Sequence, residues 1–167
     1  MEEIRSEAAF LSEMTGLPPV AVPERIPGKA PTGTVRDGQS IDLGGRSLEV
    51  LYTPGHLPSC IMLLDRENKL LFTGDTYYPG PLLVMFGDSS FPDYVSGVRR
   101  AADTAAAEGV EWVFGSHNYM EKGIGHLLRF ADFVEGILSG ENDAYETEDG
   151  YRCYVMDDEI SVYLPDR

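Results

Sequence analysis

The sequence predicts a layered α/β fold built on a mixed sheet. Short apolar runs, rich in β-branched and aromatic residues, fill the stretch from residue 40 to residue 73 and are separated by glycine-containing or charged turns. Two amphipathic helical patterns follow, with a further short strand between them and a hairpin after them. Strands that run first as a meander and then alternate with helices are typical of a sheet covered by helices.

The composition fits one folded, strongly acidic domain. A chain of 167 residues is the size of a single domain, so we expect residues 1–167 to form one. Hydrophobic residues make up 43% of the chain, which argues against disorder. The 13 basic and 28 acidic residues give a net charge of -15. Because this charge repels phosphate backbones, we expect no nucleic-acid partner.

Signals for membranes, secretion and disulfides are missing from the sequence. No uninterrupted apolar run is long enough to span a bilayer, and the first residues lack the pattern of a signal peptide. The two cysteines, Cys60 and Cys153, form neither a CxxC pair nor a disulfide framework. We therefore expect a cytoplasmic protein with no membrane partner.

The first 34 residues are predicted to hold a helix and a connector. Residues 1–15 carry apolar residues at helical spacing, namely Ile4, Ala8 and Leu11. Five prolines and three glycines exclude regular structure over most of residues 16–34. The predicted sheet and its helices then occupy residues 35–167.

Four strands are predicted before residue 75. Their expected bounds are Ser40–Leu43, Ser47–Tyr52, Cys60–Leu64 and Lys69–Thr73. The last two should pair as a hairpin, because the charged stretch 65–68 between them is turn-like. The apolar run from Leu82 to Phe86 is too short for a core helix, so it is either a buried strand or a pocket wall.

The second half is predicted to alternate helices with strands. Pro92–Glu108 places its apolar residues on one helical face, and Pro92 suits a first turn. A short strand, Val110–Phe114, follows the helix stop at Gly109. The remaining predicted elements are a helix at Leu127–Leu138 and a closing hairpin of Tyr151–Met156 with Ile160–Leu164.

Three predicted strand ends each carry a glycine followed by a residue that binds metal ions. Gly55 precedes His56, Gly74 precedes Asp75, and Gly115 is followed by Ser116 and His117. Taken singly, each is ordinary turn chemistry. Together they include two of the three histidines of the chain, and imidazole and carboxylate are ligands that zinc favours.

The motifs at these strand ends resemble those of the metallo-β-lactamase superfamily, especially its glyoxalase II-like hydrolases. They are Thr53-Pro54-Gly55-His56 and Leu71-Phe72-Thr73-Gly74-Asp75-Thr76, followed by Gly115-Ser116-His117. The resemblance covers most of residues 35–164. It implies an αββα sandwich, with metal ions at the rim between two sheets.

That resemblance also implies roles for the candidate ligands. His56 would bind a first metal ion, Asp75 would bridge two, and His117 would bind the second. Zinc is the expected metal, with iron and manganese as alternatives. A metal-activated hydroxide would then attack an ester, thioester or similar bond of a small-molecule substrate.

Three side chains flank the candidate ligands and are predicted to orient a substrate. They are Tyr77, Tyr78 and Asn118. No residue is assigned a catalytic role from the sequence. His126 lies outside these strand ends, so we expect it to be structural or solvated.

One signature of the superfamily is missing: a His-x-His-x-Asp-His run, since no histidine precedes His56. The chain therefore resembles only the C-terminal half, an incomplete sandwich with a mixed sheet and flanking helices. Such a half is expected to leave an apolar sheet face uncovered around residues 61–64 and 70–72.

Three explanations stay open. The chain is a metallohydrolase, or a truncated portion of one whose other ligands lie upstream or on another chain. Alternatively, it is a non-catalytic interaction module. Thirdly, it associates with itself, and a homodimer would complete the sandwich. Association with a missing N-terminal half would complete it in the same way.

Overall fold

A computed structural model describes residues 35–146 and 150–166. Within these ranges the chain forms ten strands and two helices. The strands are β1 (Ser40–Asp42), β2 (Ser47–Tyr52), β3 (Ile61–Asp65), β4 (Leu70–Gly74), β5 (Pro81–Leu83), β6 (Trp112–Gly115), β7 (Glu121–Lys122), β8 (Tyr145–Glu146), β9 (Tyr151–Val155) and β10 (Ser161–Pro165). The helices are α1 (Phe91–Glu108) and α2 (Gly125–Ser139).

The larger sheet is mixed, as the sequence predicts. Its six strands lie in the order β1-β2-β3-β4-β6-β7. The first four form an antiparallel meander, and β6 then pairs parallel to β4, with Leu71 opposite Val113. A parallel pair needs a long crossover, and the segment that contains α1 supplies it.

The smaller sheet has four strands in the order β5-β10-β9-β8. Its centre is the predicted closing hairpin, in which β9 and β10 pair antiparallel. β5 pairs parallel to β10, with Leu82 opposite Val162. The apolar run from Leu82 to Phe86 is therefore partly a buried strand, while Phe86 at its end is exposed.

Both helices pack into one apolar core that the two sheets share. The buried face of α1 includes Tyr94, Val98 and Ala102, and the helix ends at Gly109 in a left-handed conformation with φ 66°. Phe130 of α2 lies in the same cluster. Burial of these stripes, rather than helix propensity, stabilises the helices.

At residues 61–64 and 70–72, the predicted uncovered apolar face is reduced to the half-buried side chains of Ile61, Leu63 and Phe72. In these two stretches every side chain is buried or half-buried. Side chains alternate between the two faces of a strand, so one set of them joins the core beneath the helices. On the other face, Phe72 stacks on Phe114 with 5.2 Å between ring centroids, and the two rings cover each other.

Three further comparisons with the predictions concern residues 1–34, the short strands and membrane-spanning helices. The predicted helix of residues 1–15 and the connector of residues 16–34 lie outside the described residues, so the single-domain interpretation stays a prediction. The two-residue strands β7 and β8 were not predicted. Neither described helix is long and apolar enough to cross a membrane.

Candidate metal site

Two of the three predicted ligands meet at one edge of the larger sheet. Asp75 follows β4 and His117 lies two residues beyond β6. These strands are parallel neighbours, so their carboxyl ends lie side by side, with Gly74 opposite Gly115. Open α/β sheets commonly bind ligands at this edge.

The side chains of Asp75 and His117 approach each other closely at this edge. Asp75 Oδ1 lies 3.2 Å from His117 Nε2. This oxygen is buried, and it has no hydrogen-bond partner among the described residues, although the Asp75 side chain as a whole is 44% exposed. A buried carboxylate oxygen without a donor costs free energy, which a bound cation would recover.

Hydrogen bonds hold the turn that carries Asp75. Thr73 Oγ1 lies 2.6 Å from the carbonyl oxygen of Tyr77, closing the turn, and 3.0 Å from that of Phe114 in β6. The buried Tyr94 hydroxyl donates to the carbonyl oxygen of Thr76 at 2.5 Å. The position of Asp75 is therefore fixed by both the adjacent strand and α1.

His56 is placed by a glycine that no other residue could replace. Gly55 has φ +136°, and a Cβ there would lie 2.2 Å from the Tyr94 backbone. His56 Nδ1 lies 2.6 Å from the carbonyl oxygen of Leu83, so Nδ1 carries the proton and Nε2 is the acceptor. That tautomer is the one in which Nε2 binds metal.

The structure does not bring His56 together with the other two candidates. Among the residues it describes, no three His, Cys, Asp or Glu side chains form a group that could hold a metal ion. Zinc in catalytic sites normally has three protein ligands. Asp75 Oδ1, which accepts no hydrogen bond from the described residues, and the imidazole of His117 thus fit part of a metal site, and the described residues do not complete it.

Two of the predicted substrate-orienting residues lie beside the pair. The ring of Tyr78 packs edge-on against His117, with 4.8 Å between centroids, and its hydroxyl donates to the carbonyl oxygen of Pro81 at 2.7 Å. Burial, with a smaller effect of the Asp75 charge, raises the pKa of Tyr78. Asn118 adopts φ 64° and donates its side-chain amide to the carbonyl oxygen of Pro79.

Tyr77 is placed in the core instead. Its side chain is fully buried, its ring lies 5.1 Å from that of Phe130, and its hydroxyl donates to Glu121. In this position it has no surface to offer a substrate. Tyr77 and Tyr78 are neighbours in the sequence, and only the structure shows which of them adjoins the site.

Two further residues, Gly115 and Cys60, lie near the pair. A Cβ at Gly115 would lie 2.4 Å from the Cβ of Tyr78, so this glycine lets β6 approach the Tyr78 segment. Cys60 is half-buried; burial raises the pKa of its thiol, and the charge of Asp75 adds to the effect. Its thiol therefore stays protonated, which disfavours a role as a free nucleophile.

The sequence matches a known family over most of its length. The family model of the metallo-beta-lactamase superfamily matches residues 2–117. The acyl-coenzyme A thioesterase MBLAC2 of Bos taurus is 36% identical over 107 residues, which are 64% of this chain and 38% of that protein. The hydroxyacylglutathione hydrolase GloC of Haemophilus influenzae is 35% identical over 69 residues, which are 38% of this chain and 31% of that protein. The matched stretches thus span well under half of these relatives.

Solved structures share the fold. A metallo-beta-lactamase family protein from Thermus thermophilus has a TM-score of 0.56 and 20% identity, and the match covers 82% of this chain and 47% of that chain. ETHE1 from Myxococcus xanthus has a TM-score of 0.51 and 25% identity, covering 61% of this chain and 45% of that chain. The predicted fold class is confirmed, and the chain belongs to the metallo-beta-lactamase superfamily.

Proposed function

We propose that this chain contributes part of the metal site of a metallo-β-lactamase-fold hydrolase. The observation that carries the proposal is the buried Oδ1 of Asp75, which accepts no hydrogen bond from the described residues and lies 3.2 Å from His117 Nε2. Membership of a superfamily whose named relatives are a thioesterase and a hydrolase supports hydrolytic chemistry. The remaining ligands would come from residues of this chain outside those described or from a second copy of it, so the purified chain is the protein to assay.

Each residue of the site has a task in this proposal. Asp75 and His117 would hold the metal ion, with zinc as the expected metal. When bound, zinc supplies Lewis acidity and lowers the pKa of water. Tyr78 packs against the His117 ring and restricts its orientation, and its raised pKa keeps the hydroxyl protonated. Asn118 fixes the backbone after His117 through its bond to Pro79.

The expected substrate is an acyl thioester. Both relatives have names that specify acyl compounds of thiols, since an acyl-coenzyme A and a hydroxyacylglutathione are thioesters. Hydrolysis adds water to the carbonyl carbon, breaks the carbon–sulfur bond, and gives a carboxylic acid and a thiol. The released thiol provides a direct assay.

The test is thiol release by the purified chain, supplied with zinc, from an acyl-coenzyme A and from a hydroxyacylglutathione. Asp75→Asn removes the charge with little change of shape, and Glu67→Gln is the matched control, since Glu67 is exposed in the turn at the opposite end of β4. We expect zinc-dependent release by the unmodified chain and by the control, and none by Asp75→Asn. Equal rates in all three proteins would contradict the proposal.

A second candidate is a self-associating or non-catalytic half-domain. The observation in its favour is that no three His, Cys, Asp or Glu side chains among the described residues form a group that could hold a metal ion. In this case a second copy would complete the sandwich, or the chain would bind another protein without metal. Light scattering after size-exclusion chromatography distinguishes self-association from binding to another protein, because a monomer at all concentrations excludes the homodimer.

A further inference from the structure

A second cluster of ionisable side chains lies away from the candidate metal site, around His126 near the start of α2. His126 Nδ1 is 2.5 Å from Glu121 Oε1, in β7. His126 Nε2 is 2.8 Å from Asp157 Oδ2, in the turn between β9 and β10. The His126 side chain is only 14% exposed. We call these three residues the His126 bridge.

The hydrogen bonds of His126 indicate how many protons its ring carries. A carboxylate only accepts, and a neutral imidazole has a single N–H, so two contacts to carboxylates require the doubly protonated ring. Burial and the bond to Glu121 raise the pKa of Tyr77, which therefore keeps its proton and donates it to the second oxygen of Glu121. Both oxygens of Glu121 thus act as acceptors.

Hydrogen bonds hold the other carboxylate, that of Asp157, in its charged form. Asp157 Oδ1 accepts the backbone N–H groups of Glu159 at 3.0 Å and Ile160 at 2.9 Å. Burial alone would raise the pKa of Asp157, but the bonds from His126 and from these two N–H groups outweigh it and lower the pKa. The proton shared across the bridge therefore belongs to His126.

The bridge joins elements that are otherwise in different sheets. β7 is the edge strand of the six-stranded sheet, while Asp157 lies between two strands of the four-stranded sheet. The loop 116–120, which carries His117, leads directly into Glu121. One end of this loop is fixed where Gly115 meets Tyr78, and the other end is fixed by the bridge.

We propose that His126 is an imidazolium that ties β7 to the β9–β10 turn and thereby positions the loop that carries His117. The bridge does not depend on whether the chain binds metal. His126 is thus a positioning residue, and it does not touch the metal site itself.

Charges of both signs line the surface beside the bridge, and the two bonded carboxylates decide the protonation of the ring. Arg129 lies on the same helix and lines the same surface depression as Asp158 and Glu159 of the turn, and Glu159 also pairs with Tyr119. Burial alone would lower the pKa of His126, but the bonds to Asp157 and Glu121 outweigh it, and the pKa is raised. The bridge therefore contributes its full stability below the unfolded-state pKa of about 6.5, and this contribution is lost as the pH rises through the higher folded-state pKa.

The test is a pH titration of the isotope-labelled full chain by nuclear magnetic resonance, observing the ring nitrogens of His126 and the backbone amides of Asn118 and Tyr119. We expect both ring nitrogens to be protonated at pH about 6, with a midpoint above about 6.5. The loop amides should show an inflection at the same midpoint. A neutral single tautomer, or loop amides without that inflection, would overturn the proposal.

Matched variants separate positioning from general stability. Asp157→Asn should lower the His126 midpoint and move the inflection of the loop amides with it. Asp158→Asn removes a neighbouring carboxylate that makes no bond to His126 and should leave both midpoints unchanged. Equal shifts in the two variants would reject the specific bridge, and the titration of the unmodified chain decides the protonation state even where a variant does not fold.

Discussion

Gly115 lies where β6 passes against the segment of Tyr78, and a larger residue has no room there. A Cβ would stand 2.4 Å from the Cβ of Tyr78 and 2.9 Å from the carbonyl oxygen of Tyr77. We expect Gly115→Ala to lower the free energy of unfolding by about 1–3 kcal/mol, the usual cost of overpacking. Gly87→Ala is the control, because a Cβ there meets nothing within 4 Å. Chemical denaturation measures both, and equal stabilities would contradict the contact.

Asp65 is a fully buried carboxylate that depends on its partners. It accepts the Arg46 guanidinium at 2.5 Å and the backbone N–H of Asn68 at 2.9 Å. Burial alone would raise its pKa, but the bonds from Asn68 and Arg46 outweigh it and lower the pKa. Its contribution to stability is therefore present above the unfolded-state pKa and is lost as the pH falls through the folded-state value.

We expect Asp65→Asn to destabilise the fold by about 3 kcal/mol, because it leaves the Arg46 charge without its partner. Glu67→Gln in the same turn is exposed and should cost less than about 0.5 kcal/mol. Urea denaturation over a range of pH measures both. Because the amide of the variant cannot be protonated, the free energy of unfolding of Asp65→Asn should fall less at acid pH than that of the unmodified chain. An equal fall in both proteins would show that Asp65 does not contribute to the pH dependence of stability.

The sequence predicted that Asp75 and His117 lie at one edge of the sheet, but it could not predict the separation of His56 from them or the burial of Tyr77. Glycines at the ends of β4 and β6 indicated that Asp75 and His117 project at one edge, and the structure brings these two together. His56 depends on a loop that follows a different strand, so its distance from the pair is set by tertiary packing. The buried position of Tyr77 likewise follows from packing against Phe130, which local sequence does not encode.

At the scale of elements, the contact between α1 and α2 contains both a buried apolar side chain and surface ion pairs, so their contributions to stability can be compared. Val98 of α1 is fully buried, whereas its neighbour Arg99 reaches Asp132 and Glu135 of α2 on the surface. We expect Val98→Ala to cost about 2 kcal/mol through lost burial and a cavity. Arg99→Ala should cost less than about 1 kcal/mol, and less still in high salt. Chemical denaturation at two salt concentrations measures both, and a larger cost for Arg99→Ala would contradict this order.

Element prediction succeeded where local patterns were strong. The β3–β4 hairpin and the helix α1 were predicted close to their observed bounds, because alternation, a charged turn and a helix stop at Gly109 all agree. The parallel pairing of β5 with β10 was not predicted, since it joins distant parts of the chain. The strands β7 and β8 have two residues each, too few to show a period.

At the scale of the whole molecule, the net charge of -15 opposes compactness through self-repulsion. Added salt screens this repulsion, so moderate sodium chloride should raise the melting temperature of the chain at neutral pH. Calorimetry at low and moderate salt measures the effect. A melting temperature that falls on adding salt would show that the surface ion pairs, such as that of Arg100 with Asp37, outweigh the net repulsion.

The metal site is tested most directly by zinc affinity, measured on the full chain in competition with a chromophoric chelator. Asp75→Asn and His117→Gln each remove one of the paired ligands, and Glu67→Gln is the control at the other end of β4. We predict that the unmodified chain and the control bind zinc equally, and that each ligand variant loses at least about tenfold in affinity. An unmodified chain that binds zinc no more tightly than Asp75→Asn would contradict a metal site at this edge of the sheet.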